Sequence, residues 1–228
     1  MKTALLWATG LTASLGYASS AHAEMVLSQV IVDFLPGKPP REDIEVWNDG
    51  DERMYVVAEP SEIVGAGTAH EQRLAVPSSE DAGLLVSPRR LVLEPGERRT
   101  IRIATFAERP SSERVYRVAI KPVAGPLAAE ESALKVLVGY DTLVLVRPAR
   151  LVDDLRAERN GDTLILRNEG NTSQEIFAGS QCAKEDRDCR TLPNKRLYPG
   201  GVWTQSVSFG TPIHYKTSVG PTVRERTF

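Results

Sequence analysis

Histidine, cysteine and aromatic residues are scarce in this chain of 228 residues: three His, two Cys, and 6% Phe, Trp and Tyr. Only His70 and His214 lie beyond the first 23 residues. Neither sits in a nucleophile-elbow, phosphate-loop or zinc-helix motif, so hydrolytic chemistry has no recognisable site. Basic residues are not in excess, with 28 Lys and Arg against 30 Asp and Glu. A general nucleic-acid binder needs a positive field, and this balance argues against one. Beyond the N-terminus no apolar run is long enough to span a bilayer as a helix. A sustained helical period of apolar residues is missing as well.

What remains is a leader and a series of strands. Met1 to Ala23 reads as a secretory signal peptide. Lys2 supplies the positive start, Ala4 to Leu15 the short apolar core, and Ala21-His22-Ala23 a small-x-small cleavage site. The mature protein is expected to begin near Glu24, outside the cytoplasm.

The longest strand-like run, Ala133 to Pro148 (ALKVLVGYDTLVLVRP), organises the rest. It is too rich in Val, Leu and Thr for a good helix. Even positions 134 to 146 carry Leu, Val, Val, Tyr, Thr, Val and Val. Odd positions include Leu137, Leu143 and Leu145. Successive strand side chains point to opposite faces, so both faces need apolar cover. Two readings fit: a central strand covered by its own core on both sides, or a strand that offers one face to a guest protein.

Shorter runs recur along the chain, with turn signals between them. They include 26–34, 44–48, 54–58, 84–87, 99–106 and 113–123. Residues 61 to 83 read as a long loop or irregular edge. After Arg147-Pro148, Asn160-Gly161 marks a hairpin, since Asn-Gly suits the positive φ of its turn. The tail from Ser218 reads as poorly tied down. This pattern is all-β, and it is read as a signal peptide (1–23), a first domain (24–148) and a smaller second domain (149–228).

Cys182 and Cys189, with six residues between them, lie in a polar loop of that second domain. In an oxidising compartment they are expected to bridge. Closing so short a loop contributes about 2.5 kcal/mol on the chain-entropy scale. The alternative, a metal site, has two thiols and no nearby His, a poor ligand set. Two acid pairs, Asp153-Asp154 and Asp186/Asp188, show no calcium-loop pattern. No metal and no cofactor is expected.

Leu84 to Gly96 (LLVSPRRLVLEPG), followed by Thr100-Ile101-Arg102-Ile103, resembles a sequence block of periplasmic pilus-assembly (PapD-like) chaperones. Glu113 to Val118 resembles that family's next strand, and 134–148 its long donor strand ending in Arg-Pro. Asn168 to Asn171, Gly179 to Cys182, Cys189 and Leu197 to Gly200 look most like chaperones of alpha-type fimbriae. The resemblance implies two immunoglobulin-like β-sandwich domains set at an angle, in the periplasm, with no enzymatic activity, no cofactor and no small-molecule substrate. It implies donor-strand complementation: an incomplete fimbrial subunit is completed by the chaperone's strand and passed to an outer-membrane usher. Leu134, Val136 and Val138, with Tyr140 as a fourth, are then the subunit-facing residues. Leu137, Leu143 and Leu145 would face the chaperone's own core. Self-association of the free chain through the same strand stays open.

The chain departs from the family at one point. A basic pair in the cleft usually anchors the subunit's C-terminal carboxylate, and here those positions hold Gln29 and Leu143. The substitute expected is Arg117, with Lys121 and Arg114 as weaker candidates. The rival functional reading is a structural or adhesive β-sandwich protein, itself a pilus component, whose long strand is merely core.

Overall fold

The computed structural model describes residues 25–76, 83–106, 108–124, 137–184 and 187–228. The expected leader and the positions of Leu134 and Val136 fall outside them. All regular structure among the described residues is β. The strands of the N-terminal part are β1 (Met25–Leu27), β2 (Ile31–Phe34), β3 (Arg41–Asn48), β4 (Met54–Val64), β5 (Gln72–Ala75), β6 (Leu84–Ser87), β7 (Arg90–Leu93), β8 (Arg98–Thr105), β9 (Arg114–Val123) and β10 (Tyr140–Val146). The C-terminal part holds β11 (Leu155–Asn160), β12 (Thr163–Asn168), β13 (Gln174–Lys184), β14 (Arg187–Leu192), β15 (Lys195–Leu197), β16 (Val202–Ser206), β17 (Ile213–Val219) and β18 (Thr222–Thr227).

In the first sandwich one sheet runs β1-β3-β8-β6 and the other β2-β10-β9-β4-β5, with β7 also on β4. Strict alternation builds its core. Ile44 and Val46 of β3, Ile101 and Ile103 of β8, and Tyr116, Val118 and Ile120 of β9 point inward, while their neighbours face out. The second sandwich pairs the sheets β11-β12-β16 and β14-β13-β17-β18, with β15 also on β13. Leu164, Leu166, Ile176, Ile213 and Tyr215 fill its separate core.

Each sandwich is pinned by a buried asparagine at the head of an Asn-x-Gly turn. Asn48 Nδ2 donates to the carbonyls of Glu52 and Leu93, and its Oδ1 accepts from Gly50 N–H. Asn168 does the same with Thr172, Leu197 and Gly170. A buried amide with donors and acceptor all satisfied fixes a turn without the cost of an orphaned polar group.

Three sequence expectations need correction. The run 26–34 is not one strand, because β1 joins β3 in one sheet and β2 joins β10 in the other. In 61–83, read as loop or irregular edge, the edge is regular as far as Ala75. β4 continues to Val64 through Pro60, and β5 pairs beside it. Pro60 is tolerated because β4 changes partner there, from β7 at residues 54–57 to β5 at 61–64. The tail is not loose: β18 pairs with β17, and Phe228 and Ile213 exchange two backbone hydrogen bonds.

Between the sandwiches lies a buried guanidinium. Arg147 is 1% exposed. Its Nε and Nη2 grip both oxygens of Asp33 at 2.8 and 2.9 Å, and Nη1 lies 2.7 Å from Glu113 Oε2 and from the Ser173 carbonyl. Glu113 Oε2 also accepts from Ser173 N–H at 2.8 Å. The first sandwich supplies both carboxylates and the second supplies Ser173. Replacing Arg147 with Met leaves Glu113 buried and unpaired. The expected loss is about 3–5 kcal/mol, read from urea unfolding; Arg147→Lys should recover only part of it, because an ammonium cannot fork to Asp33.

Candidate functional site: an open strand edge beside a cleft

β10 is paired along its whole length by antiparallel β9, from Tyr140↔Ile120 to Val146↔Arg114. Its other edge is covered only in part. Parallel β2 matches Leu143 to Val146, and the Leu143 N–H donates to the Val30 carbonyl at 2.9 Å. Ahead of that point the chain has crossed to the opposite sheet as β1, so no described strand lies beside residues 137–142. In a strand, alternate residues direct their amides to opposite edges. Leu143 points its N–H to β2, so Asp141 and Gly139 direct theirs to the open edge. Val138 is 61% exposed there. Gly139 lies flat on β9, where a Cβ would come within 2.6 Å of Lys121 Cβ. Only glycine permits that approach without displacing the strands.

The two faces of β10 serve different neighbours, opposite to the sequence reading. Thr142, Val144 and Val146 point into the first sandwich's core. Tyr140, expected as a fourth subunit-facing residue, packs against that core and its hydroxyl donates to the Met25 carbonyl at 3.0 Å. Leu143 and Leu145, expected in the core, lie on the outer face instead. They join Val115 and Ala66 in a separate cluster that Ile63 and Tyr198 complete. Tyr198 belongs to the second sandwich. The odd face is therefore covered by the domain junction and by the loop after β4. Burying two leucines there contributes roughly 2 kcal/mol each. Leu137 has the same parity and is half-buried outside the core cluster.

The three expected cations are differently placed. Arg114 forks onto Glu62 at 2.8 and 2.9 Å and lies over the Tyr116 ring. Lys121 is paired with Glu59 at 2.8 Å. Arg117 sits directly across from Leu143. Its Nη1 donates to the Asp141 carbonyl at 3.1 Å, and its Nε stays 3.9 Å from the Asp141 carboxylate. A fourth cation, missed in the sequence, converges on the same aspartate. Arg73 of β5 reaches past β4 and β9 to bind both Asp141 oxygens at 2.8 and 3.2 Å, and also donates to Ser61 Oγ. Arg73 lies in the stretch read as loop or irregular edge, 68 residues from its partner, and no local pattern marks it. Gln29 is half-buried and Leu143 is 5% exposed beneath Ala66 and Tyr198, so no cation occupies the family's usual positions.

On the far side of β2, a cavity of about 290 Å³ between the sandwiches is lined by Ile31, Asp33, Arg147, Glu175, Arg196 and Pro221 among others. Its charges are matched, Arg196 to Glu175 and Arg147 to Asp33, both at 2.8 Å. Farther off, Cys182 and Cys189 face each other across β13 and β14 and form the expected disulfide. Among the described residues no group of three or more His, Cys, Asp or Glu could hold a metal ion.

Burial raises the Tyr198 phenol above its ordinary range, with Arg117 and Arg196 pulling the other way. Burial raises Tyr116 and Tyr215 too, opposed by Arg114 and by the Gln205 hydrogen bond respectively. Above pH about 10 the unfolded chain sheds these protons while the folded chain keeps them. The unfolded state then binds fewer protons, so stability falls as pH rises. The urea midpoint should hold through neutral pH and decline above pH about 10. Tyr198→Phe should flatten the decline; an unaltered slope would show that Tyr198 is not one of its sources.

No family model matches the chain. A curated Escherichia coli protein, named for a fimbrial subunit of the CFA/I system, is 26% identical over 190 residues, 78% of each chain. Among solved structures, the class 5 fimbriae chaperone CfaA superposes with a TM-score of 0.66 at 24% identity, covering 89% of this chain and 98% of that one. A chain from the complex of Salmonella enterica SafA pilin with the SafB chaperone gives 0.61 at 17% identity, covering 92% and 99%. The chain has the two-domain β-sandwich fold of these fimbrial chaperones.

Proposed function

We propose that this protein is a periplasmic chaperone that binds, folds and caps fimbrial subunits and hands them to an outer-membrane usher. One observation carries the reading: β10 is half covered, with β2 reaching back only to Leu143 and no described strand on the edge ahead of it. An unpaired edge is a template for another strand. Backbone bonds to such an edge are tolerant of guest sequence, and alternate side chains fill the guest's pockets. The solved relatives include a chaperone described in complex with its pilin, which is consistent with that use of the fold.

The donor residues under this reading are Leu134, Val136 and Val138. Tyr140 is left out, because its hydroxyl and ring are committed to the first sandwich. The even face of the ribbon would thus serve two cores in turn, the guest's before Gly139 and its own after it. Of the three cations weighed from the sequence, Arg117 is the one whose guanidinium bonds to β10, donating to the Asp141 carbonyl. Arg114 and Lys121 are each engaged by a carboxylate of β4.

The test is capture. Val136→Asp with Val138→Asp places two carboxylates where a guest would bury apolar pockets, a cost of several kcal/mol for unpaired charges. Co-expressed with the small secreted proteins encoded beside it, the double variant should stay soluble and fold normally but recover no subunit, while the parent recovers one. Capture undiminished by the double substitution would refute the donor-strand assignment and favour a surface protein whose long strand is only core.

A further inference from the structure

Resting on the reading that the ribbon ahead of β10 enters a guest, we infer that Gly139 is a positioning residue. It is a swivel at which the ribbon turns edge-on to β9. Even side chains before it face the guest, and even side chains after it face the chain's own core.

The approach of Gly139 to β9 is the first sign. Continuing the register that pairs Tyr140 with Ile120 sets Gly139 against Lys121. Opposed residues in an antiparallel ladder keep their Cβ atoms about 4.5–5.5 Å apart, side by side on one face. A Cβ on Gly139 would instead lie 2.6 Å from Lys121 Cβ, 3.0 Å from its Cα and 3.1 Å from the Ile120 carbonyl oxygen. It would point into β9 rather than away from the sheet, so the chain is rotated about its own axis there. The regular ladder with β9 starts at the next residue, Tyr140. Burial changes at the same place. Val138, Tyr140 and Thr142 share one parity, and an unbroken strand would send all three to one face. Thr142 is fully buried, Tyr140 packs against the core with its hydroxyl on the Met25 carbonyl, and Val138 is mostly exposed. The ribbon leaves the first sandwich's core between Tyr140 and Val138, and Gly139 is the residue between them.

Without a side chain at 139, the ribbon can rotate and still press on β9. A larger residue must lift it away, because what it would strike is backbone and the root of a side chain, and neither can swing clear. A lifted ribbon gains freedom, and the donor side chains it carries must then be ordered on binding, which weakens capture. The free chain has little to lose by the same change. Val138 buries little, and Leu137 is half-buried outside the core cluster. Lifting residues 137–139 strips no side chain from the core, which separates a positioning role from a role in stability.

The test uses the full chain and the subunit that the parent recovers on co-expression. Each purified complex carries one dye on the subunit and a second on the chaperone. Loss of energy transfer in an excess of unlabelled parent reports release of the subunit. Gly139→Ala should release it about tenfold faster than the parent, while its urea midpoint stays at the parent's value. Lys121→Gly removes the Cβ that the new methyl would strike. The tightest contact left is then 3.0 Å, which a shift of a few tenths of an ångström relieves. Gly139→Ala made in that background should speed release by no more than about twofold over Lys121→Gly alone. Release from Gly139→Ala at the parent's rate, an equal acceleration in both backgrounds, or a urea midpoint that falls with Gly139→Ala overturns the swivel and leaves the donor reading standing. Failure of the parent to recover any subunit removes the donor reading, and the swivel with it.

Discussion

The buried guanidinium of Arg147 is the constraint on which the arrangement depends. It sits where β10 leaves the first sandwich, and it is almost fully withdrawn from water. A cation in that position is tolerable only if its donors are matched. Asp33 and Glu113 supply charge from the first sandwich, and Thr172 and Ser173 supply oxygens from the second. The network can be satisfied only when both sandwiches are folded and docked. Arg109 reinforces it by donating to the carbonyls of Phe34, Leu35 and Arg147, at the ends of β2 and β10. The cleft thus has a defined floor, and the residues around it hold fixed positions relative to one another.

From that floor the rest of β10 follows. Its last residues are sandwiched between two apolar clusters, one inside the first domain and one under Tyr198. Its leading part has β9 on one edge and no described strand on the other. The cause is a change of layer: the chain passes from one sheet to the other between Leu27 and Ile31. A single strand in their place would have closed the edge and removed the feature on which the proposed function rests.

The sequence made the all-β character and many turns legible. Asn48-Asp49-Gly50 and Asn160-Gly161 read as turns because backbone chemistry there is local. Gly161 takes the positive φ of 58° that its hairpin requires. The apolar density of 133–148 indicated that both faces need apolar cover, and residues 142–146 have it. It could not reveal by what, since Leu143 is buried by Ala66 and Tyr198, one far upstream and one far downstream. The assignment of odd positions to the core failed for that reason: a period of two separates faces without naming their neighbours. The split between β1 and β2 was hidden because Val26 to Phe34 is apolar enough to pass for one strand. Arg73 was hidden because its partner is set by sheet order, which brings β5 and β10 onto one face.

The shift of partner at Pro60 has a consequence for motion. β7 is locked into the core through Leu93 and Leu91. β5 hangs on β4 by one edge, and its four residues are all exposed. With so little apolar burial to lose, this strand should open locally at a free energy well below that of global unfolding. Arg73 is therefore mounted on a springy lip of the sheet, while Arg117 is mounted on its rigid middle. A compliant strand thus meets an unyielding one, and opening of β5 leaves untouched the Arg147 network that holds the two domains together.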